Sequence, residues 1–167
     1  MGKSSLLNAL AGRRALARTS RTPGRTRGCN VFSVDGRFYY VDLPGYGYAR
    51  LSQAERRSLS RLVGEYVAAR DAAALWLLDL RREPSADDLA MGDLLAQHSV
   101  PLLVALTKAD KVPRGGRPGR VEAILSALGT DLTSDQCVLT SARTGEGIAL
   151  LRKAIDRLVA GGKAERR

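Results

Sequence analysis

Apolar positions along this chain alternate between two signatures, stripes at helical spacing and short continuous runs. Leu6, Leu7 and Leu10 share one helical face, which starts a helix over Ser5–Leu10. Arg13–Gly28 is polar, rich in Arg and Thr and broken by Pro23-Gly24, the pattern of an exposed loop. Cys29–Val34 and Arg37–Leu43 are β-rich runs joined by Asp35-Gly36, a strong signal for a hairpin with a two-residue link. Ser52-x-x-Glu55 reads as a capping box that opens a helix to about Arg70. Ala73–Leu80, read as one continuous run although it includes Asp79, and Val100–Leu106 are strongly apolar, as strands buried on both faces should be. Between them Ser85-x-x-Asp88 opens a helix ending near Gln97. Arg117–Leu128 carries the stripe Val121, Ile124, Leu125 and Leu128. Gln136–Thr140 is a short strand. Gly147–Val159 is the last helix, with Ile148, Leu151, Ile155 and Leu158 on its face.

Strands alternating with helices predict an α/β doubly wound, mostly parallel sheet with one antiparallel hairpin near its start. The 167 residues suit one domain over residues 1–160, followed by a basic tail over residues 161–167. No repeat or low-complexity tract divides it.

Composition narrows the function class. The 44% hydrophobic content is that of a folded domain. The longest apolar runs fall well short of the roughly 20 residues of a membrane span, so no membrane partner is expected. Residues 1–17 have no continuous apolar core of a signal peptide, and a cytoplasmic location is expected. Cys29 and Cys137 match no zinc or disulfide spacing and read as strand residues in a reducing compartment. His98, the single histidine, reads as a helix-end residue and not a metal ligand. A net charge of +10 favours a polyanionic partner, though an arginine-rich surface alone would give the same number.

In doubly wound sheets ligands bind at the carboxyl ends of the strands, so the loops there carry the candidate chemistry. Gly2-Lys3-Ser4 supplies the last three positions of the phosphate-binding pattern G-x-x-x-x-G-K-[ST], followed by Ser5. Met1 stands at the last variable position. The leading Gly and the strand feeding the loop would precede it. Backbone N–H groups around Gly2–Ser4 are expected to cradle phosphates at the positive end of the following helix. Lys3 would reach the β- and γ-phosphates and the Ser4 hydroxyl would bind Mg²⁺. Asp42-Leu43-Pro44-Gly45 follows a strand. Asp42 would hold Mg²⁺ through water, and the Gly45 N–H would meet the γ-phosphate. Thr26 would complete the Mg²⁺ shell when a γ-phosphate is present. In Thr107-Lys108-Ala109-Asp110, Asp110 would accept from the guanine N1–H and 2-amino group, a donor pair adenine lacks. Lys108 would pack its stem along the base. Thr140-Ser141-Ala142 would bring the backbone of Ser141 and Ala142 to the guanine O6. Each string alone has a plainer reading, as a turn, a solvated loop or a cap. Their joint order and strand context give the nucleotide reading its weight.

The set resembles the small translation-linked GTPases, and most closely the EngB/YsxC type of ribosome-biogenesis GTP-binding protein. The residues that carry the resemblance are Leu16-Ala17-Arg18-Thr19-Ser20, Thr22-Pro23-Gly24-Arg25-Thr26, Asp42-Leu43-Pro44-Gly45-Tyr46-Gly47-Tyr48-Ala49 and Thr107-Lys108-Ala109-Asp110, with Gly64-Glu65-Tyr66 also fitting. It runs from Gly2 to about Leu158. The resemblance implies a P-loop GTPase fold, GTP and GDP as ligands with Mg²⁺, and a role in assembling the large ribosomal subunit, with its precursor and ribosomal RNA as partners. It places Gly24, Arg25, Thr26, Arg27 and Gly28 in the first switch and Gly45–Gln53 in the second. Arg25 and Arg27 flank Thr26 and could touch GTP phosphates as readily as RNA. A monomer is the expected state.

Two departures from that pattern bear on activity. Many GTPases carry Gln four residues after the Asp matching Asp42, to orient the attacking water; Tyr46 stands there instead. Slow intrinsic hydrolysis is therefore expected, with help from the ribosome or a monovalent cation. The second departure is the front of the phosphate loop. Met1 falls where the family has Val, and a GTG codon can start translation as Met, so the expected explanation is a start site placed inside a longer gene and a fold lacking its first strand. Two other readings compete, a different small GTPase of the same superclass acting in tRNA modification or cell division, and an RNA-binding remnant without nucleotide binding.

Overall fold

The computed structural model describes residues 2–12, 30–43, 53–69, 72–129 and 132–164. In chain order the elements are α1 (Lys3–Ala11), β1 (Asn30–Val34), β2 (Phe38–Asp42), α2 (Gln53–Ala69), β3 (Ala74–Asp79), α3 (Ala86–Gln97), β4 (Leu102–Thr107), α4 (Arg117–Leu128), β5 (Cys137–Leu139) and α5 (Ile148–Ala164). Short 3₁₀ turns at Ala109–Lys111, Arg114–Gly116 and Ser134–Gln136 fill the connections.

The strands form two sheets. β3, β4 and β5 are parallel, in the order β3-β4-β5, with Asp79 opposite Thr107 and Leu106 opposite Leu139. β1 and β2 form an antiparallel hairpin. Asp35 and Gly36 both take left-handed backbone, at φ 50° and 66°, as the hairpin signal requires. The register pairs Val34 with Phe38, so Arg37 joins them in a three-residue link, one longer than the Asp-Gly dipeptide implied.

The apolar runs of β3 and β4 serve two cores because successive side chains point to opposite faces. Trp76, Leu78, Val104 and Leu106 pack with Val63 of α2, Met91 and Leu95 of α3, and Ile124 and Leu128 of α4. Leu103, Ala105 and Val138 pack on the other face with Leu6 and Leu10 of α1 and Ile148, Leu151 and Ile155 of α5. Helices on both faces make the fold doubly wound.

Local chemistry sets the element ends. At the start of α3 the Ser85 hydroxyl accepts from the Asp88 N–H at 3.3 Å, while Asp88 Oδ2 accepts from the Ser85 N–H at 2.8 Å. Thus the capping box read from the sequence is present. His98 is the C-cap of that helix. At the N-terminus of α2, Ser52 lies outside the described residues. α5 continues to Ala164, beyond the Val159 expected from its stripe. α5 is also tied to α1: Arg152 donates through Nε to the Leu10 carbonyl at 2.8 Å and through Nη2 to the Ala9 carbonyl at 2.7 Å. These carbonyls end α1, where cationic donors are favourable.

Between the hairpin and the three-stranded sheet lies a groove of about 700 Å³. Its walls include contiguous runs from both flanking strands, 37–43 and 72–77, together with Leu6, Leu10, Met91 and Ile155. Among the described residues the second edge of β2 and the second edge of β3 pair with no strand. No helix among the described residues is long and apolar enough to cross a membrane.

Candidate nucleotide site

The start of α1 meets the carboxyl end of β2, and the carboxyl ends of β3, β4 and β5 lie side by side in the parallel sheet. Gly2 caps α1 in left-handed backbone at φ 86°, ψ 21°, a conformation glycine adopts without a Cβ penalty. Its carbonyl accepts the first intrahelical bond, from the Leu6 N–H at 2.9 Å. The first turn of α1 itself contains no acidic side chain. Lys3 reaches across to β2. Its Nζ lies 2.6 Å from Asp42 Oδ1 and donates to the Leu43 carbonyl as well. The pair joins the phosphate-loop residues to the Asp42 strand end, the convergence expected from the sequence. Asp42 is buried, Ser4 half-buried and Ser5 exposed. Lys3, here held by Asp42, would have to turn toward a phosphate to take the role expected of it.

The base end is built by β4 and β5. Thr107, Thr140 and Ser141 are buried, and the Ala109 N–H donates to the Thr140 carbonyl at 3.0 Å. Lys108 takes left-handed backbone at φ 61°. Asp110 accepts from the Ser141 hydroxyl at 2.7 Å on Oδ1 and from Arg143 Nε at 2.9 Å on Oδ2. The hydrogen bonds of Ser141 and Arg143 hold the Asp110 carboxyl below the usual carboxylate range. The 140–142 and 107–110 strings therefore form one site. The Ser141 N–H, however, donates to the Glu146 carbonyl at 2.9 Å, so within the Thr140-Ser141-Ala142 string it is the exposed Ala142 whose amide remains for a ligand oxygen. The loop closes tightly: at Gly147, φ 73°, a Cβ would fall 1.9 Å from the Leu139 carbonyl oxygen.

The remaining candidates, Gly24, Arg25, Thr26, Arg27, Gly28, Pro44 and Gly45, lie outside the described residues, as do Tyr46 and Cys29. The described part fits Mg²⁺ in its chemistry. The Ser4 hydroxyl, on the residue after Lys3, and the Asp42 carboxylate, paired with Lys3, are both hard oxygen donors, and Mg²⁺ needs few protein ligands when phosphate and water supply the rest. No cluster of three His, Cys, Asp or Glu suited to a metal occurs among the described residues.

Comparison with known proteins follows the same lines. A family model described as "50S ribosome-binding GTPase" matches residues 1–108. The "Probable GTP-binding protein EngB" of Streptococcus pneumoniae is 43% identical over 150 residues, covering 89% of this chain and 76% of its own. That of Halothermothrix orenii is 43% identical over 161 residues, covering 95% and 81%. The chain belongs to the EngB family of GTP-binding proteins. It is accordingly a GTPase of P-loop fold. A solved structure of a probable EngB superposes with a TM-score of 0.76 at 20% identity, covering 96% of this chain and 94% of that one. Era in complex with MgGDPNP and nucleotides 1506–1542 of 16S ribosomal RNA superposes with a TM-score of 0.67 at 22% identity, over 92% of this chain and 51% of Era. These two likenesses show the fold.

Within this EngB-family site, sequence reading passed over Asp79 and Arg143. Asp79 is absorbed into the run Ala73–Leu80 and draws no separate reading there, though β3 ends on it. Arg143 lies one residue beyond the Ser141-Ala142 pair, and only the folded loop brings it onto Asp110.

Proposed function

We propose that the chain is a GTP-hydrolysing switch that assists assembly of the large ribosomal subunit in the cytoplasm. The observation that carries this reading is the convergence of Lys3 with Asp42 at one end of the site and of Asp110 with Ser141 at the other. In it, the amides at the start of α1 bind the phosphates and Lys3 leaves Asp42 to neutralise the β- and γ-oxygens. Ser4 and Thr26 would hold Mg²⁺, with Asp42 contributing through water, and a bound Mg²⁺ would supply charge neutralisation at the phosphates. Gly45 would offer its N–H to the γ-phosphate, and Gly24–Gly28 would belong to the first switch. Asp110 accepts from the guanine N1–H and 2-amino group, Lys108 packs along the base, and the Ala142 amide meets O6. The switch segments would favour the state that docks on RNA when a γ-phosphate with Mg²⁺ is bound. The net charge of +10 supports a polyanionic partner, and the family model's description names the 50S ribosome.

With Tyr46 where a water-orienting Gln is common, turnover alone is slow. Large ribosomal subunits or a monovalent cation accelerate it, by a factor on the order of 10³–10⁵ if the missing group is supplied in trans. Steady-state phosphate release, measured with and without large subunits and with potassium exchanged for sodium, tests this; fast turnover of the chain alone would sink it. Titration with a fluorescent GDP analogue tests the site itself. Absence of binding by the folded chain would favour an RNA-binding protein that does not use nucleotide.

A further inference from the structure

Asp79 ends β3 directly opposite Thr107, one residue before Lys108. Its side chain is 6% exposed and is surrounded by donors. Lys108 Nζ donates to Oδ2 at 2.7 Å. Arg81 donates through Nη2 to Oδ2 at 2.8 Å, through Nε to Oδ1 at 2.9 Å and through its backbone N–H to Oδ1 at 3.1 Å. Burial pushes the carboxyl up, but the bonds from Arg81 and Lys108 outweigh burial and leave it well below the usual carboxylate range. Lys108 itself stands in left-handed backbone, which a non-glycine residue keeps only when its surroundings hold it there.

We infer that Asp79 is a positioning residue of the base site: its carboxylate fixes the Lys108 side chain across the β3–β4 strand ends, so that the lysine stem is already laid where a purine packs. This rests on the proposed role of Asp110 and Lys108 in holding guanine. A four-carbon lysine stem loses much of its rotamer freedom when immobilised. The anchor at Nζ removes that loss from the binding step, because the stem is ordered before the base arrives. Arg81 has a matching part. By donating to both carboxylate oxygens it fixes the plane of the Asp79 carboxylate, leaving one direction open for the ammonium. The arrangement needs one carboxylate at the last position of β3, since a residue earlier or later in the strand would point to the other face.

The test is a double-mutant cycle on the affinity of a fluorescent GDP analogue for the 167-residue chain. Asp79→Ala and Lys108→Ala should each weaken binding about tenfold, the worth of one charge-assisted contact. The double variant should bind no more weakly than Lys108→Ala alone, since Asp79 acts only through that lysine. A merely structural Asp79 would instead weaken binding by the same factor with or without Lys108, and such additivity overturns the inference, as would undiminished binding by a folded Asp79→Ala. Should Asp79→Ala fail to fold, Asp79→Asn serves, because it keeps an acceptor for Arg81 while losing the charge that holds the ammonium. Its loss should likewise vanish in the Lys108→Ala background, and a loss that persists there overturns the inference. Asp110→Ala in the same assay separates the two layers. Unchanged GDP binding there overturns the reading of the base site itself, and the Asp79 inference with it, whereas a large loss there with additivity in the cycle overturns the clamp alone.

Discussion

At the scale of single residues the fold contains positions where one atom decides the outcome. Gly147 combines φ 73° with a Cβ position 1.9 Å from the Leu139 carbonyl oxygen. Gly147→Ala should cost roughly 2–5 kcal/mol, from left-handed strain plus overpacking, read as a lower urea midpoint. A loss under about 0.5 kcal/mol, the range of neutral surface changes, would contradict it. Burial, and next the nearby Asp135, push the Cys137 thiol up to about 11. A folded value above the ordinary thiol value of about 8.5 means the fold favours the neutral form. That stability is fully present below about pH 8.5 and is lost as pH rises toward 11. Over that window the urea midpoint of the parent should fall more than that of Cys137→Ala; parallel curves would refute the assignment. Neither feature was legible in the sequence. Gly147 stood there simply as the first residue of a helix, because the approach of the α5 start to the β5 end exists only once the sheet has formed. Cys137 was read correctly as a strand residue, but its burial depends on neighbours distant in the chain.

At the scale of elements the sequence was at its most informative where a local rule decides the structure. Ser85 and Asp88 need only each other to cap α3, and the Asp35-Gly36 pair needs only left-handed backbone to turn the chain. Asp88 is fully buried and also accepts from Arg82 Nη1 at 2.7 Å. Burial pushes its carboxyl up, yet Arg82 and the Ser85 donors prevail and lower it. Asp88→Asn removes the charge from three donors at once and should cost roughly 1–3 kcal/mol, checked by thermal melting at neutral pH. The same loss should shrink as pH falls below about 3.9, where the unfolded carboxyl takes up its proton, and vanish only below the lower folded value; a pH-independent difference would sink the electrostatic account. Strand ends were less legible than strand centres. The run at Val100–Leu106 begins with Val100-Pro101, and β4 begins only at Leu102 because Pro101 has no N–H to give a ladder. Likewise β5 stops at Leu139: the Thr140 N–H still donates to the Leu106 carbonyl at 2.8 Å, and the loop that carries Ser141 opens beyond it.

At the scale of the whole molecule the order of strand ends was readable, since each motif followed a predicted strand, and their convergence followed from the doubly wound topology. What that order could not supply is which side chains hold one another when the loops meet, as Asp79 holds Lys108 and Arg143 meets Asp110. The net charge of +10 is likewise a property of the whole surface. Affinity for a ribosomal RNA fragment should fall linearly with salt on a double-logarithmic plot, by about 0.7 in slope per phosphate contacted on a single strand. Binding insensitive to salt would remove RNA from the proposed partners. One structural feature also offers a way to watch the molecule. Trp76, the single tryptophan, is 3% exposed, with Gly92 of α3 against its indole ring, and it lines the groove beside β3. The chain thus carries one indole fluorophore, which can be excited apart from its tyrosines, at the seam between β3 and α3. Every photon it emits under excitation near the red edge of protein absorption comes from that seam, so the colour of its emission is a label-free record of whether the core there is closed.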